Sequence, residues 1–87
     1  MVVVRVRGQL RKLAGNEGEH ELDGATVAEV LRALERAHPA LAGWVLDEHG
    51  RIRPHINVFV DGERGDEGTA VPVGAPVDVL PAISGGG

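Results

Sequence analysis

The chain begins with the alternation of a half-buried strand. Val2, Val4 and Val6 share one face under the two-residue period, and the residues between them share the other face. Glycine and asparagine at Gly15-Asn16 mark a turn, after which Glu19–Leu22 can return as a second strand. The pattern therefore predicts a hairpin with one buried face.

An amphipathic helix is predicted next. Thr26 and Glu29 fit a capping box, in which the Thr26 hydroxyl accepts from the Glu29 amide and the Glu29 carboxylate reaches back to the Thr26 amide. Pro39 disfavours helical geometry at His38, so the helix should end near there. Apolar residues recur at helical spacing between these signals: Val27, Val30, Leu31 and Leu34.

The second half of the chain predicts two more strands. Ile56–Val60 is a strong strand with a turn at Asp61-Gly62, and Pro76–Leu80 is the last strand. A minor strand between these two is compatible with the sequence. Four apolar residues after the helix are predicted to form a short turn that caps the core: Leu41, Trp44, Val45 and Leu46.

Hairpin, helix and further strands together predict an α+β fold, with one mixed sheet of four to five strands wrapping one main helix. We expect the last strand to lie beside the first, parallel to it, at the centre of the sheet. That is the β-grasp (ubiquitin-like) arrangement. Residues 1–80 would form this domain, and residues 81–87 would form a flexible glycine-rich tail.

Composition and charge narrow the classes of function. With 87 residues, 43% of them hydrophobic, we expect one globular domain. The net charge of −4 argues against general binding to nucleic acid, and the lack of a long apolar stretch argues against membrane association, so we expect a cytoplasmic protein. Four basic residues are followed along the chain by four acidic residues: Arg5, Arg7, Arg11 and Lys12, then Glu17, Glu19, Glu21 and Asp23. These residues form either two solvated strand faces or a docking surface for a charged partner.

Residues for independent catalysis are missing. The chain has no cysteine, and its one lysine, Lys12, belongs to no phosphate-binding loop. No serine lies on a nucleophile elbow. The four histidines do not have the spacing of a metal motif: His20, His38, His49 and His55. We therefore expect neither an enzyme acting alone nor a bound metal or cofactor.

The informative segment is the end of the sequence. From Pro81 to Gly87 the chain could extend about 23 Å, and its last three residues carry no side chain. Such a tail can thread a narrow channel and present its carboxylate in the active site of another protein. The alternatives are an ordinary flexible terminus or a cloning remnant.

The ending resembles that of the ubiquitin-like sulfur carriers, the family of the molybdopterin synthase small subunit and the thiamine sulfur carrier. The resemblance rests on Leu80–Gly86 and on Asn57–Glu63, where Asp61 replaces an asparagine that is common in the family. Together with Arg53–Asn57, the segment that leads into the strand Ile56–Val60, the ending is most similar to the cysteine-biosynthesis branch.

The resemblance implies that this protein is a co-substrate for other enzymes. A ubiquitin-activating-type adenylyltransferase would activate the terminal carboxylate, sulfur would convert it to a thiocarboxylate, and a sulfur-accepting biosynthetic enzyme would use it. The reacting tail would be Gly85, Gly86 and Gly87. Two hypotheses compete with this one. The protein is a modifier that is joined to lysines through the same terminus, or it is an inert binding module.

Gly87 lies one residue beyond the diglycine of the family pattern. Either this carrier ends in three glycines, or a C-terminal processing protease trims Gly87, or the residue was added to the natural sequence.

We assign partner docking to Phe59, Leu80 and Ile83. Phe59 shares its face with Asn57, turned away from the helix, and Leu80 is expected to join it from the neighbouring strand. In the alternative, the loop around Trp44 covers Phe59.

Overall fold

A computed structural model of the protein describes residues 1–81 and confirms the predicted order of the main elements. The strands are β1 (Val2–Val6), β2 (Glu19–Leu22), β3 (Ile56–Val60), β4 (Glu63–Arg64) and β5 (Val77–Pro81), and the helices are α1 (Gln9–Leu13), α2 (Val27–Ala37) and a 3-10 turn (Pro39–Leu41). The sheet order is β2-β1-β5-β3-β4, with β5 parallel to β1 and antiparallel to β3. The expected central position of the last strand and the α+β class are both confirmed.

The core lies between the sheet and α2, and it is aliphatic. The alternation in β1, β3 and β5 buries every second side chain, as the two-residue period requires. The four apolar residues of α2 predicted from helical spacing are all 0% exposed. The most deeply buried side chains include Val4, Leu31, Leu34, Val58, Val77 and Val79.

The beginning of α2 is held by a loop as well as by its cap. Thr26 Oγ1 accepts from the Glu29 amide at 3.4 Å, as predicted. The predicted reciprocal bond was wrong, because the Glu29 carboxylate accepts from the Ala25 amide at 3.3 Å and from the Thr26 hydroxyl at 3.3 Å instead of from the Thr26 amide. Carbonyl groups of the loop before β5 also accept from the first helical amides, which would otherwise lack partners.

Two of the histidines join β2 to the end of α2. His20 Nε2 lies 2.8 Å from the Glu17 carbonyl, and His20 Nδ1 lies 3.2 Å from His38 Nε2. Because a carbonyl only accepts, His20 Nε2 donates to Glu17 and its Nδ1 accepts from His38. The two rings meet edge to face. These contacts account for the burial of His20, whose exposed fraction is 8%.

Among residues 1–81, no group of three or more His, Cys, Asp or Glu side chains is placed to hold a metal ion. Within the same residues, no helix is long and apolar enough to cross a membrane.

Candidate functional site at the end of the central strand

The chain leaves the sheet at Pro81, which is the last residue of β5 and lies opposite Ile56 of β3. Proline has no N–H group to donate, so it suits the final position of a strand. Because β5 is the central strand, Pro81 lies in the middle of one end of the sheet. We call Leu80 and Pro81 the tail root. The other predicted site residues, Ile83, Gly85, Gly86 and Gly87, lie outside the described residues.

Helix α1 lies beside the tail root and was not predicted from the sequence. It has five residues, no capping side chain and no acidic residue in its first turn, so the usual signals of a helix start are missing. The only available signal was the spacing of Leu10, Leu13 and Ala14, which fits one apolar helical face. Leu10 and Ala14 are buried in the core, and this burial fixes α1 in place.

Phe59 and Leu80 both lie on the sheet face turned away from α2. In the register of β3 and β5, Phe59 pairs with Asp78, and Asn57 pairs with Leu80. Phe59 and Leu80 are therefore diagonal neighbours, and both are half-buried. The structure thus brings two of the three predicted docking residues together on one open face, while Ile83 lies outside the described residues. Their role in docking stays a prediction.

Charged side chains flank this pair on the same face. Asp78 Oδ1 lies 3.9 Å from Arg5 Nη1 and 3.7 Å from Arg7 Nη2. Arg5 also lies 3.9 Å from Glu19, its partner across β1 and β2. These distances exceed those of hydrogen bonds, and such partly exposed pairs contribute at most about 1 kcal/mol each. Of the four basic residues, Arg5 lies on β1 and Arg7 follows the end of that strand, whereas Arg11 and Lys12 lie on α1, so the predicted strand face holds only Arg5 of this group.

An apolar groove lies on the α1 side of the tail root. Its volume is about 320 Å³, and we call it the Trp44 groove; its walls include Leu10, Lys12, Leu13, Trp44, Ile56 and Pro81. Phe59 does not belong to its lining, so the alternative in which the Trp44 loop covers Phe59 gains no support.

The prediction that Trp44 caps the core was wrong. Leu41, Val45 and Leu46 are buried as expected, but Trp44 is 51% exposed. The Trp44 amide donates to the Leu41 carbonyl at 2.8 Å, which closes a tight turn after the 3-10 helix. This turn sends the adjacent side chains of Trp44 and Val45 in opposite directions, so only Val45 reaches the core.

Gly8 connects β1 to α1 and touches the tail root. Its φ is +66°, and a Cβ built there would lie 3.0 Å from Pro81 Cγ. We expect Gly8→Ala to lower the free energy of unfolding by about 1–3 kcal/mol, because it adds backbone strain and presses on the proline ring. Denaturant unfolding of the full chain measures this loss.

Gly74→Ala is the matched control, because Gly74 has a φ of +86° but no atom within 4 Å of a built Cβ. Gly74→Ala isolates the effect of backbone strain. Gly8→Ala adds the contact with Pro81, so it should lower the free energy of unfolding by more than Gly74→Ala does. Equal losses would show that the contact with Pro81 has no energetic weight.

Comparison with known proteins agrees with this geometry. The ThiS family model matches residues 4–86, which is nearly the whole chain. The chain belongs to the ThiS family. The predicted resemblance to ubiquitin-like sulfur carriers is thereby confirmed, and the match extends through Gly86 but does not include Gly87.

Known proteins similar to this chain include one named as a modifier and two chains named CysO. Small archaeal modifier protein 1 of Haloferax volcanii is 42% identical over 67 residues, which cover 76% of this chain and 77% of that protein. A chain in the crystal structure of the Amycolatopsis orientalis BexX/CysO complex superposes with a TM-score of 0.87 at 30% identity, covering 98% of this chain and 99% of that one. Mycobacterium tuberculosis CysO has a TM-score of 0.84 at 26% identity, covering 95% of this chain and 100% of that one. These neighbours confirm the β-grasp fold, and small ubiquitin-like proteins of this kind are in general not enzymes.

Proposed function

We propose that this protein is a sulfur carrier whose terminal glycine carboxylate is converted to a thiocarboxylate by partner enzymes. The observation that carries the proposal is the match to the ThiS family through Gly86, on a chain whose central strand ends at Pro81. Residues 82–87 can reach about 20 Å from that point when extended. Such a reach allows a carboxylate to enter an active site while the folded body stays outside.

The chemistry divides between this chain and its partners. An adenylyltransferase of the ubiquitin-activating type joins the carboxylate to AMP from ATP and releases pyrophosphate. A sulfur nucleophile then attacks the carbonyl carbon, the bond to AMP breaks, and a thiocarboxylate remains. Because the chain contains no cysteine, the sulfur comes from a partner. At a sulfur-accepting biosynthetic enzyme the thiocarboxylate sulfur forms a bond to the acceptor, and water then breaks the bond between this sulfur and the carbonyl carbon and supplies the oxygen that regenerates the carboxylate.

A protein modifier is the second candidate. The observation that favours it is the 42% identity to a protein named small archaeal modifier protein 1. Activation would be the same, but the amine of a target lysine would then displace AMP and form an isopeptide bond. Lys12 is the only lysine of this chain, so any self-conjugate would be joined at Lys12 or at the amino terminus.

Mass spectrometry tests the proposal and separates the two candidates. The intact chain is incubated with the adenylating enzyme of its own organism, ATP and a sulfur donor. We expect a mass gain equal to the exchange of one oxygen for sulfur, and we expect a reagent selective for thiocarboxylates to label the product. Isopeptide adducts without any thiocarboxylate would assign the modifier function instead. If neither product forms, the chain is an inert binding module.

A further inference from the structure

The Trp44 groove has no role in the sulfur chemistry described above. Trp44 is one of only two aromatic residues in the chain, and half of its surface faces solvent. Leu10 and Ile56 form the buried floor of the groove, and Leu13 lines it together with Trp44. Large aromatic side chains beside an apolar pocket are typical of residues that dominate protein–protein binding.

The backbone that carries Trp44 is held in place before any partner arrives. The Trp44 amide donates to the Leu41 carbonyl at 2.8 Å, and the Val45 carbonyl accepts from the Arg53 amide at 2.9 Å. Leu41 and Val45 are both 0% exposed, so the backbone on each side of the ring is anchored in the core. A partner that binds Trp44 therefore does not have to order this loop, which removes an entropic cost of association.

Basic side chains lie on both sides of the tail root, although the chain as a whole is acidic: Lys12 lies on one side, and on the other side Arg7 is partly neutralised by Asp78, whose Oδ1 lies 3.7 Å from Arg7 Nη2. The chain has 13 acidic and 9 basic residues. None of the acidic residues lines the Trp44 groove or the depression on the other side of the tail root, where Arg7 lies beside Leu80 and Pro81. Lys12 is exposed at the edge of the Trp44 groove. The local charge therefore favours a partner with carboxylates.

We infer that the Trp44 groove is a docking site for the protein that takes the tail, and that it receives an apolar side chain flanked by carboxylates. The inference rests on the proposed function, because it assumes that an adenylating partner encloses the residues after Pro81. Pro81 lines the groove itself, so a protein that surrounds the tail must also come against the groove. The groove is thus a second contact, separate from the open sheet face that carries Phe59.

Calorimetry of the full chain with the adenylating enzyme of its own organism tests the inference. We expect Trp44→Ala to weaken binding about tenfold or more, and Trp44→Phe to retain most of the affinity because a ring remains. Lys12→Glu should weaken binding several-fold at low salt and much less at high salt, since a partly screened charge is reversed.

Two exposed residues that line neither the Trp44 groove nor the depression beside Arg7 provide matched controls. Val73 is 93% exposed and Arg36 lies on the surface of α2, so Val73→Ala and Arg36→Glu should leave the affinity within about twofold of the original chain. The melting temperature of each variant separates lost binding from lost folding.

Three results would overturn the inference in distinguishable ways. If Trp44→Ala binds like the original chain while adenylation proceeds, the groove has no docking role and the proposed function stands. If the original chain is a dimer that Trp44→Ala dissociates, the groove is occupied by a second copy instead. If the original chain is neither bound nor adenylated by the enzyme, the proposed function fails together with the inference.

Discussion

Removal of Gly86 and Gly87 is expected to abolish adenylation by the partner enzyme and to leave the melting temperature nearly unchanged. The reacting carboxylate would retreat by two residues, about 7 Å when extended, and so could not reach the bound ATP. Glycine has no side chain to pack, and the deletion leaves every residue of the described core in place, so we expect little change in folding stability. ATP–pyrophosphate exchange and thermal unfolding measure the two effects.

The form that ends at Gly86 is the control for this deletion. The ThiS family match ends at residue 86, and an additional glycine displaces the carboxylate by about 3.3–3.6 Å. Misplacement by about 1 Å can already cost a hundredfold in rate, so we expect the Gly86 form to be adenylated faster than the Gly87 form. Equal rates would show that the channel tolerates Gly87. Normal exchange by the form that lacks both glycines would contradict the carrier proposal.

Phe59→Ala is expected to weaken binding of the adenylating enzyme by about 1–3 kcal/mol, which is roughly a tenfold to hundredfold loss of affinity. Phe59 is half-buried on the open face, diagonal to Leu80 and in line with the tail root. A partner that covers this face would bury the exposed part of the ring. The loss of folding stability should stay near 1 kcal/mol, because the ring is not part of the core. Calorimetry gives the affinity, and denaturant unfolding gives the stability.

Val58→Ala is the matched control for Phe59→Ala. Val58 is the preceding residue of the same strand, but its side chain points into the core and is 1% exposed. We expect this variant to lose about 2 kcal/mol of stability and to keep the affinity of the folded fraction. Phe59 would be reassigned to a structural role if its variant behaved like Val58→Ala, with unchanged affinity and a large loss of stability.

Most of the sheet and the main helix were predictable because their signals are local and periodic. The alternation in β1 fixes which valines are buried, and Thr26, Glu29 and Pro39 mark the two ends of α2. Even the parallel pairing of β5 with β1 follows from the order of the elements, since a β-grasp fold closes in this way. Strand β4 has only two residues. The sequence was compatible with a minor strand between the last two predicted strands but did not indicate its residues.

The segments without a period were the ones that prediction missed. Helix α1 is too short to form alone, because nucleation of a helix costs more free energy than the hydrogen bonds of a single turn contribute. It is stabilised by the burial of Leu10 among residues that are distant in sequence. The outward direction of Trp44 follows from a single tight turn, and no repeating pattern reveals on which side of such a turn a side chain lies.

The fold class, the buried faces and the glycine-rich ending on which the proposed chemistry depends can all be read from local residue patterns. What surrounds the start of that ending depends instead on how distant segments pack together. Leu10, Trp44 and Pro81 lie far apart along the chain, and they line one groove because β5 inserts between β1 and β3. Local periodicity specifies which face of an element is apolar, whereas a groove between three elements exists only after the whole core has packed.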